Sequence, residues 1–105
     1  MREYNVKWSP SAQNDIEKIY AFYAEKSVNA AVKVFNGIID DTEILKHNPQ
    51  IAPVEQFLLN NTKTYRSLVA SKGKYKVVFF VEDRTIYIAR IWNCRQNPKS
   101  LRIRR

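Results

Sequence analysis

Glycine is nearly absent from this sequence, with only Gly37 and Gly73 in 105 residues. A phosphate-cradling loop needs several glycines in a short run, so nucleotide sites of that kind are excluded. The single cysteine, Cys94, cannot form an internal bridge. No apolar leader follows Met1, so a reducing cytoplasm is the expected compartment. His47 is the only histidine, and it falls on a different predicted element from Cys94. No metal-ligand spacing exists, and neither a metal nor any other cofactor is expected. A Ser-His-Asp arrangement would have to recruit His47, whose place in the last turn of a helix suits the helix dipole or solvent better. The apolar run Val77 to Val81 is far short of the ~20 residues of a membrane span, so no membrane partner is expected.

Hydrophobic residues make up 45% of the chain and charged residues 27%, ordinary values for a folded protein. The length suits one domain over residues 1–105, with 99–105 as a basic, loosely ordered tail. Charge is unevenly placed. Residues 1–60 hold six Lys and Arg against eight Asp and Glu, whereas residues 61–105 hold twelve against two. The net +8 therefore comes from the second half, which suggests a polyanionic partner such as nucleic acid or an acidic protein.

Tyr4 to Trp8 alternates apolar and polar residues, as a half-buried strand does. Ser9-Pro10 then reads as an N-cap followed by proline at the first helical position. Ile16, Ile19, Tyr20 and Tyr23 continue at helical spacing, and the helix should end near Glu25 or Lys26. Ser27 or Asn29 can cap a second helix with the stripe Ala31, Val34, Phe35, Ile38, Ile39, Thr42 and Leu45, ended by Asn48-Pro49. Gly37 costs this helix about 1 kcal/mol relative to alanine, and close packing against the first helix is the expected return. Residues 49–63 read as a connector. Tyr65–Ala70, Tyr75–Val81 and Thr85–Trp92 are strands, with turns at Lys72-Gly73 and Asp83-Arg84. The expectation is an α+β fold of order β-α-α-β-β-β. A helical hairpin covers one face of a small antiparallel sheet and leaves the other face free to carry a basic groove.

The chemistry-bearing residues are cations. Arg66, Lys76 and Arg90 fall on three successive strands, Lys74 precedes the middle one, and Arg95 follows the last. Bases on neighbouring strands can converge on one anion, arginine as a planar fork and lysine as a compact charge. Tyr65, Tyr75, Tyr87 and Trp92 lie among them, suited either to stacking nucleobases or to cross-strand packing. Packing is the favoured role in so small a sheet. Asp40-Asp41 reads as a solvated helix face and Glu82-Asp83 as a turn, because adjacent residues do not face each other as acid–base pairs must. Cys94 reads as a capped strand end, with no base near it to make it a nucleophile.

Several segments together resemble the RelE/ParE superfamily of type II toxin–antitoxin toxins. They are Tyr4-Asn5-Val6-Lys7-Trp8-Ser9-Pro10-Ser11-Ala12 with Asp15-Ile16, Tyr65-Arg66-Ser67-Leu68-Val69, Tyr75 to Asp83, and Ile86 to Trp92 running into Cys94-Arg95-Gln96-Asn97-Pro98. Their order and spacing cover nearly the whole chain. The resemblance implies the fold described above and neutralisation by a cognate antitoxin. It also implies growth inhibition and plasmid stabilization in a bacterium.

The family divides by target. ParE-like members inhibit DNA gyrase, whereas RelE-like members cut mRNA in the ribosome. In the nuclease reading Arg66, Lys76 and Arg95 match the family's phosphate-stabilising cations, and would be catalytic. In the other reading Arg66, Lys74, Lys76, Arg90 and Arg95 bind the target. The family often places a histidine or tyrosine near the C-terminus, but Gln96 to Leu101 holds neither. The resemblance therefore favours a ParE-like inhibitor of gyrase or a similar replication target. The alternatives are a ribosome-dependent mRNA endonuclease and, on charge alone, a non-toxic basic nucleic-acid-binding module.

Overall fold

A computed structural model of the chain describes residues 3–103. Strand β1 (Asn5–Trp8) passes through Ser9 directly into helix α1 (Pro10–Ala24). Ser9 fixes this corner twice over. Its Oγ accepts the Ala12 N–H at 3.0 Å, as an N-cap does, and donates to the Ala89 carbonyl at 3.0 Å. Pro10 follows at the first helical position, where its missing N–H is harmless. Ser27 caps helix α2 (Val28–Glu43) in the same way, accepting the Ala30 N–H at 3.2 Å. That helix stops earlier than Asn48-Pro49 predicts. It tightens into a 3₁₀ turn at Ile44–Lys46, and a second turn follows at Pro49–Ile51. Leu45 still reaches the core from the tightened turn.

The remaining strands are β2 (Arg66–Ala70), β3 (Tyr75–Glu82) and β4 (Thr85–Asn93). The sheet order is β1-β4-β3-β2. The three later strands form the expected antiparallel meander, while β1 joins β4 in parallel, so the whole sheet is mixed. The helical hairpin carries the chain from β1 to the far edge, and two reversals then bring β4 back alongside β1 in the same direction. The Asp83-Arg84 turn has φ of 51° and 60°, the paired left-handed geometry of a two-residue hairpin. The other turn is longer than Lys72-Gly73. Ser71, Lys72 and Gly73 all have positive φ, and Ala70 pairs with Tyr75 across them. Asp41 supports this turn by accepting the Ser71 N–H at 2.9 Å, so it is not the solvated residue expected from its helix position. Gly37 also faces this turn rather than α1. A Cβ built there would meet Ser71 Oγ at 3.8 Å, an ordinary contact.

Two apolar clusters sandwich the sheet. Against the helices lie Ile16, Ile38, Leu45, Val77, Phe79, Ile86, Ile88 and Ile91. On the other face Val78, Ala89 and Trp92 pack with Leu58, Tyr65 and Leu101. That face is therefore covered in part by the connector and the tail, and beside them a groove of about 370 Å³ stays open between Lys63, Tyr65, Phe80, Tyr87 and Ile103. Leu101 inserts because it is the one large apolar residue between Pro98 and Arg102, while Arg104 and Arg105 lie outside the described residues. Phe35, placed on the buried stripe by its spacing, instead stands at the helix surface, edge-on to Tyr20 at 6.3 Å. Among the described residues no helix is long and apolar enough to cross a membrane.

The β3–β4 register shifts between Val78 and Phe79, leaving Ala89 as the extra residue of a bulge. A bulge alters the side-chain alternation of its strand. Here Ile88 and Ile91 both face the helices, with Ala89 turned to the other cluster. Strand β1 ends opposite Ile88, so β4 beyond the bulge has an edge with no neighbouring strand.

Candidate functional site

That open edge decides where Arg90 goes. Asp15, on the second turn of α1, stands where β1 would have continued. Its Oδ2 accepts the Ile91 N–H at 2.9 Å and the Arg90 Nε at 2.7 Å, and its Oδ1 accepts Arg90 Nη2 at 3.1 Å. The Arg90 guanidinium also donates to the Arg102 carbonyl at 2.8 Å and lies 5.5 Å from the Trp92 ring centroid. Arg90 thus ties helix, strand and tail together.

Lys76 is paired as well. Its ammonium sits 2.8 Å from Glu55 Oε1, which also accepts the Ser67 hydroxyl at 2.7 Å. Glu55 Oε2 accepts the Phe57 N–H at 3.0 Å, and the residue is 4% exposed. Burial raises the Glu55 pKa, but the bonds from Lys76, Phe57 and Ser67 together outweigh it, and the net shift is downward. Glu55 is therefore a fixed carboxylate at neutral pH. Sequence reading placed it in a connector and missed it. The available signal was its isolation, since it is the only acid between Glu43 and Glu82.

Arg66 does not join Lys76. Lys76 lies opposite Val69 across the β2–β3 pair, while strand alternation puts Arg66 on the same side as Leu68 and Ala70. Its Nη1 donates to the Ala52 carbonyl at 2.8 Å. The three cations read from the strands are thus held apart, each by its own acceptor. The aromatics among them mostly pack. Tyr65, Tyr75 and Trp92 are buried, and Tyr87 stacks on Phe80 with centroids 5.0 Å apart.

Lys74 and Arg95 behave differently. They line a small cavity of about 120 Å³ with Phe22, Tyr23, Tyr75 and Asn93. It adjoins a larger cavity of about 290 Å³ between α1 and the end of β4, which adds Asp15, Lys18, Trp92 and Gln96. The Lys74 ammonium is 5.8 Å from the Tyr23 ring centroid. Burial first, then the neighbouring Tyr23 hydroxyl, pushes the Tyr75 phenol well above the usual range, so it stays protonated at neutral pH. Nearby, desolvation pushes the Cys94 thiol up, although Lys76 opposes this, and the sulfur is not a thiolate at neutral pH. His47 is exposed, 3.4 Å from a Glu3 carboxylate oxygen. Among the described residues no group of three metal-ligating side chains occurs.

The sequence and fold match known proteins. The model of a family described as the ParE toxin of the type II toxin–antitoxin system parDE matches residues 6–98. Among solved structures, one of the chromosomal ParDE system from P. aeruginosa is 21% identical. The match covers 87% of this chain and 96% of that chain, with a TM-score of 0.71. A structure of the RelBE2 toxin–antitoxin complex from Mycobacterium tuberculosis is also 21% identical. It covers 87% of this chain and 98% of that chain, with a TM-score of 0.50. At these identities the two structures speak for the fold alone. No curated protein matches the sequence.

Proposed function

The chain belongs to the ParE toxin family of type II toxin–antitoxin systems, and from that premise we propose that it inhibits DNA gyrase, or a similar replication target, without cutting nucleic acid. The observation that carries this reading is the fate of the strand cations. A ribonuclease of this superfamily needs free cations converging on the phosphoryl oxygens, together with a base that can take the 2′-OH proton. Of the three cations that the nuclease reading needs, Lys76 is bound to Glu55 and Arg66 to the Ala52 carbonyl, which leaves Arg95 alone at the end of β4, and the further strand cation Arg90 is held by Asp15. Glu55 is buried and already accepts three hydrogen bonds, which leaves it poorly placed to receive a proton from substrate. Purified toxin should block gyrase-dependent supercoiling of relaxed plasmid. Normal supercoiling at saturating toxin would rule the reading out.

The same reading gives the toxin an antitoxin partner. Val28, Val32 and Phe35 form an i, i+4, i+7 stripe on α2 that faces outward, and Phe22 is exposed on α1. An apolar stripe on a strongly basic chain suits an acidic segment that folds as an amphipathic helix on binding. This is the surface we assign to the antitoxin, in a cytoplasmic complex.

A further inference from the structure

A separate cavity lies between α2 and the turn at Ser71. It measures about 430 Å³, within the range of about 300–1,000 Å³ typical of small-molecule sites. Ala30, Val34 and Gly37 line it from α2, and Lys33, Lys72 and Lys74 are its cations. None of the three lysines forms an ion pair among the described residues. The one carboxylate of the lining, Asp41, accepts the Ser71 N–H at 2.9 Å. The cavity thus carries three positive charges against one negative. Ala30, Val34 and Gly37 recur at helical spacing on the flank of α2 opposite Val28, Val32 and Phe35, so this is not the surface assigned to the antitoxin. Gly37 is the least expected member of the lining. Glycine weakens a helix interior, and packing does not require it here, since outside its own helix a Cβ would meet only Ser71 Oγ, at 3.8 Å. What the missing side chain leaves is room in the cavity.

We infer that this cavity binds a small phosphomonoester with an apolar body, its head held by Lys33, Lys72 and Lys74 and its body laid against Ala30, Val34 and Gly37. The net charge of the lining selects the head. A phosphomonoester carries about −1.5 to −2 at pH 7, which matches an excess of two cations, whereas a single carboxylate would leave one of them unmet. Lysine is a compact charge that meets a tetrahedral head without the planar geometry an arginine imposes. The wall selects the body. Ala30, Val34 and Gly37 offer no hydrogen-bonding side chain, so what lies on them is apolar and not a sugar. The inference goes beyond the readings of the target and the antitoxin surface and depends on neither, since no residue of the Glu55–Lys76 cluster or of the outer α2 stripe lines the cavity.

The test is an NMR titration of the isotope-labelled full chain with phenyl phosphate, inorganic phosphate and benzoate. None of the probes involves gyrase, so failure here and failure of the supercoiling assay are separate results. Phenyl phosphate should shift the amide signals of Gly37, Ser71 and Gly73. It should bind about tenfold or more tightly than either other probe, because inorganic phosphate lacks the apolar body and benzoate lacks the second charge. The double variant Lys33→Ala/Lys72→Ala should weaken phenyl phosphate about tenfold or more, as expected for two lost charge-assisted contacts. Gly37→Leu keeps every charge but fills the cavity, and it should bring phenyl phosphate down to the affinity of inorganic phosphate. Leucine is a good helix former, and the amide spectrum itself shows whether each variant folds. The control Lys7→Ala/Lys99→Ala removes the same charge from exposed positions that do not line the cavity and should change the affinity by less than about twofold. If the control weakens binding as much as the cavity variant, the interaction is diffuse charge and the inference falls. It falls equally if no probe binds, if the shifts gather at Asn93 to Gln96 instead, or if folded Gly37→Leu binds phenyl phosphate as the parent does. If inorganic phosphate binds as tightly as phenyl phosphate, the apolar body is overturned, and if benzoate does, the phosphomonoester head is.

Discussion

Asp15 and Arg90, separated by 75 residues in sequence, form a bidentate pair with bonds of 2.7 and 3.1 Å. The same carboxylate accepts the Ile91 N–H, so one side chain both neutralises a cation and satisfies a strand edge that β1 is too short to reach. Arg90 looks like a ligand-binding base from its strand position alone. In the fold it is a clamp.

Asp15→Asn should therefore lower stability by about 3 kcal/mol, because it leaves a largely buried guanidinium without its counter-charge. For a domain of this size that is roughly 12–24 °C in Tm. Differential scanning calorimetry measures it. A loss under about 1 kcal/mol would mean that the pair is screened like a surface salt bridge.

Glu55 gives the fold a specific acid sensitivity. Its folded pKa is depressed, so its contribution is fully present above the ordinary carboxylate range, near 4.5, and is lost as pH falls through the lowered folded value. Glu55→Gln should be less stable than the parent at neutral pH and should show a flatter loss of stability below about pH 4.5. Urea melts at stepped pH check both. Parallel curves for the two proteins would show that the Lys76–Glu55 bond contributes no linkage.

Gly37 has room for a methyl group, since a Cβ there stands 3.8 Å from Ser71 Oγ. Gly37→Ala should raise stability by about 0.5–1 kcal/mol through helix propensity, seen as a higher urea midpoint with unchanged slope. A drop would mean that the Ser71 turn needs to approach closer than this.

The outer stripe of α2 provides a test of antitoxin docking. Val32→Asp/Phe35→Asp puts two charges on that face without touching the buried side of the helix at Ala31 and Ile38. The variant should lose co-purification with its co-expressed antitoxin while still blocking supercoiling. Co-purification at parental yield would place the antitoxin elsewhere.

Elements were legible in the sequence where local chemistry decides. Ser9-Pro10 and Ser27 mark the helix starts through cap geometry, and Asp83-Arg84 marks a tight hairpin. The end of α2 was not legible, because the chain tightens into 3₁₀ turns before Pro49 forces it to stop. The candidate site was legible only in part. Residue type identified the cations, but which of them are free depends on long-range acceptors. Asp15, Glu55 and the Ala52 carbonyl lie 75, 21 and 14 residues from the cations they hold. No local pattern encodes those pairings. Nor does it reveal that a bulge at Ala89 re-aims β4, or that β1 ends short of it.

The central claim is that the bases on the strands hold the fold together and do not catalyse phosphoryl transfer. The most direct test is to induce the chain alone in a bacterial host and map mRNA 5′ ends within minutes, alongside growth and plasmid supercoiling. The account predicts arrest with intact transcripts and relaxed plasmid. New in-frame cuts in translated mRNA, abolished by Lys76→Ala in a variant shown to be folded, would contradict it.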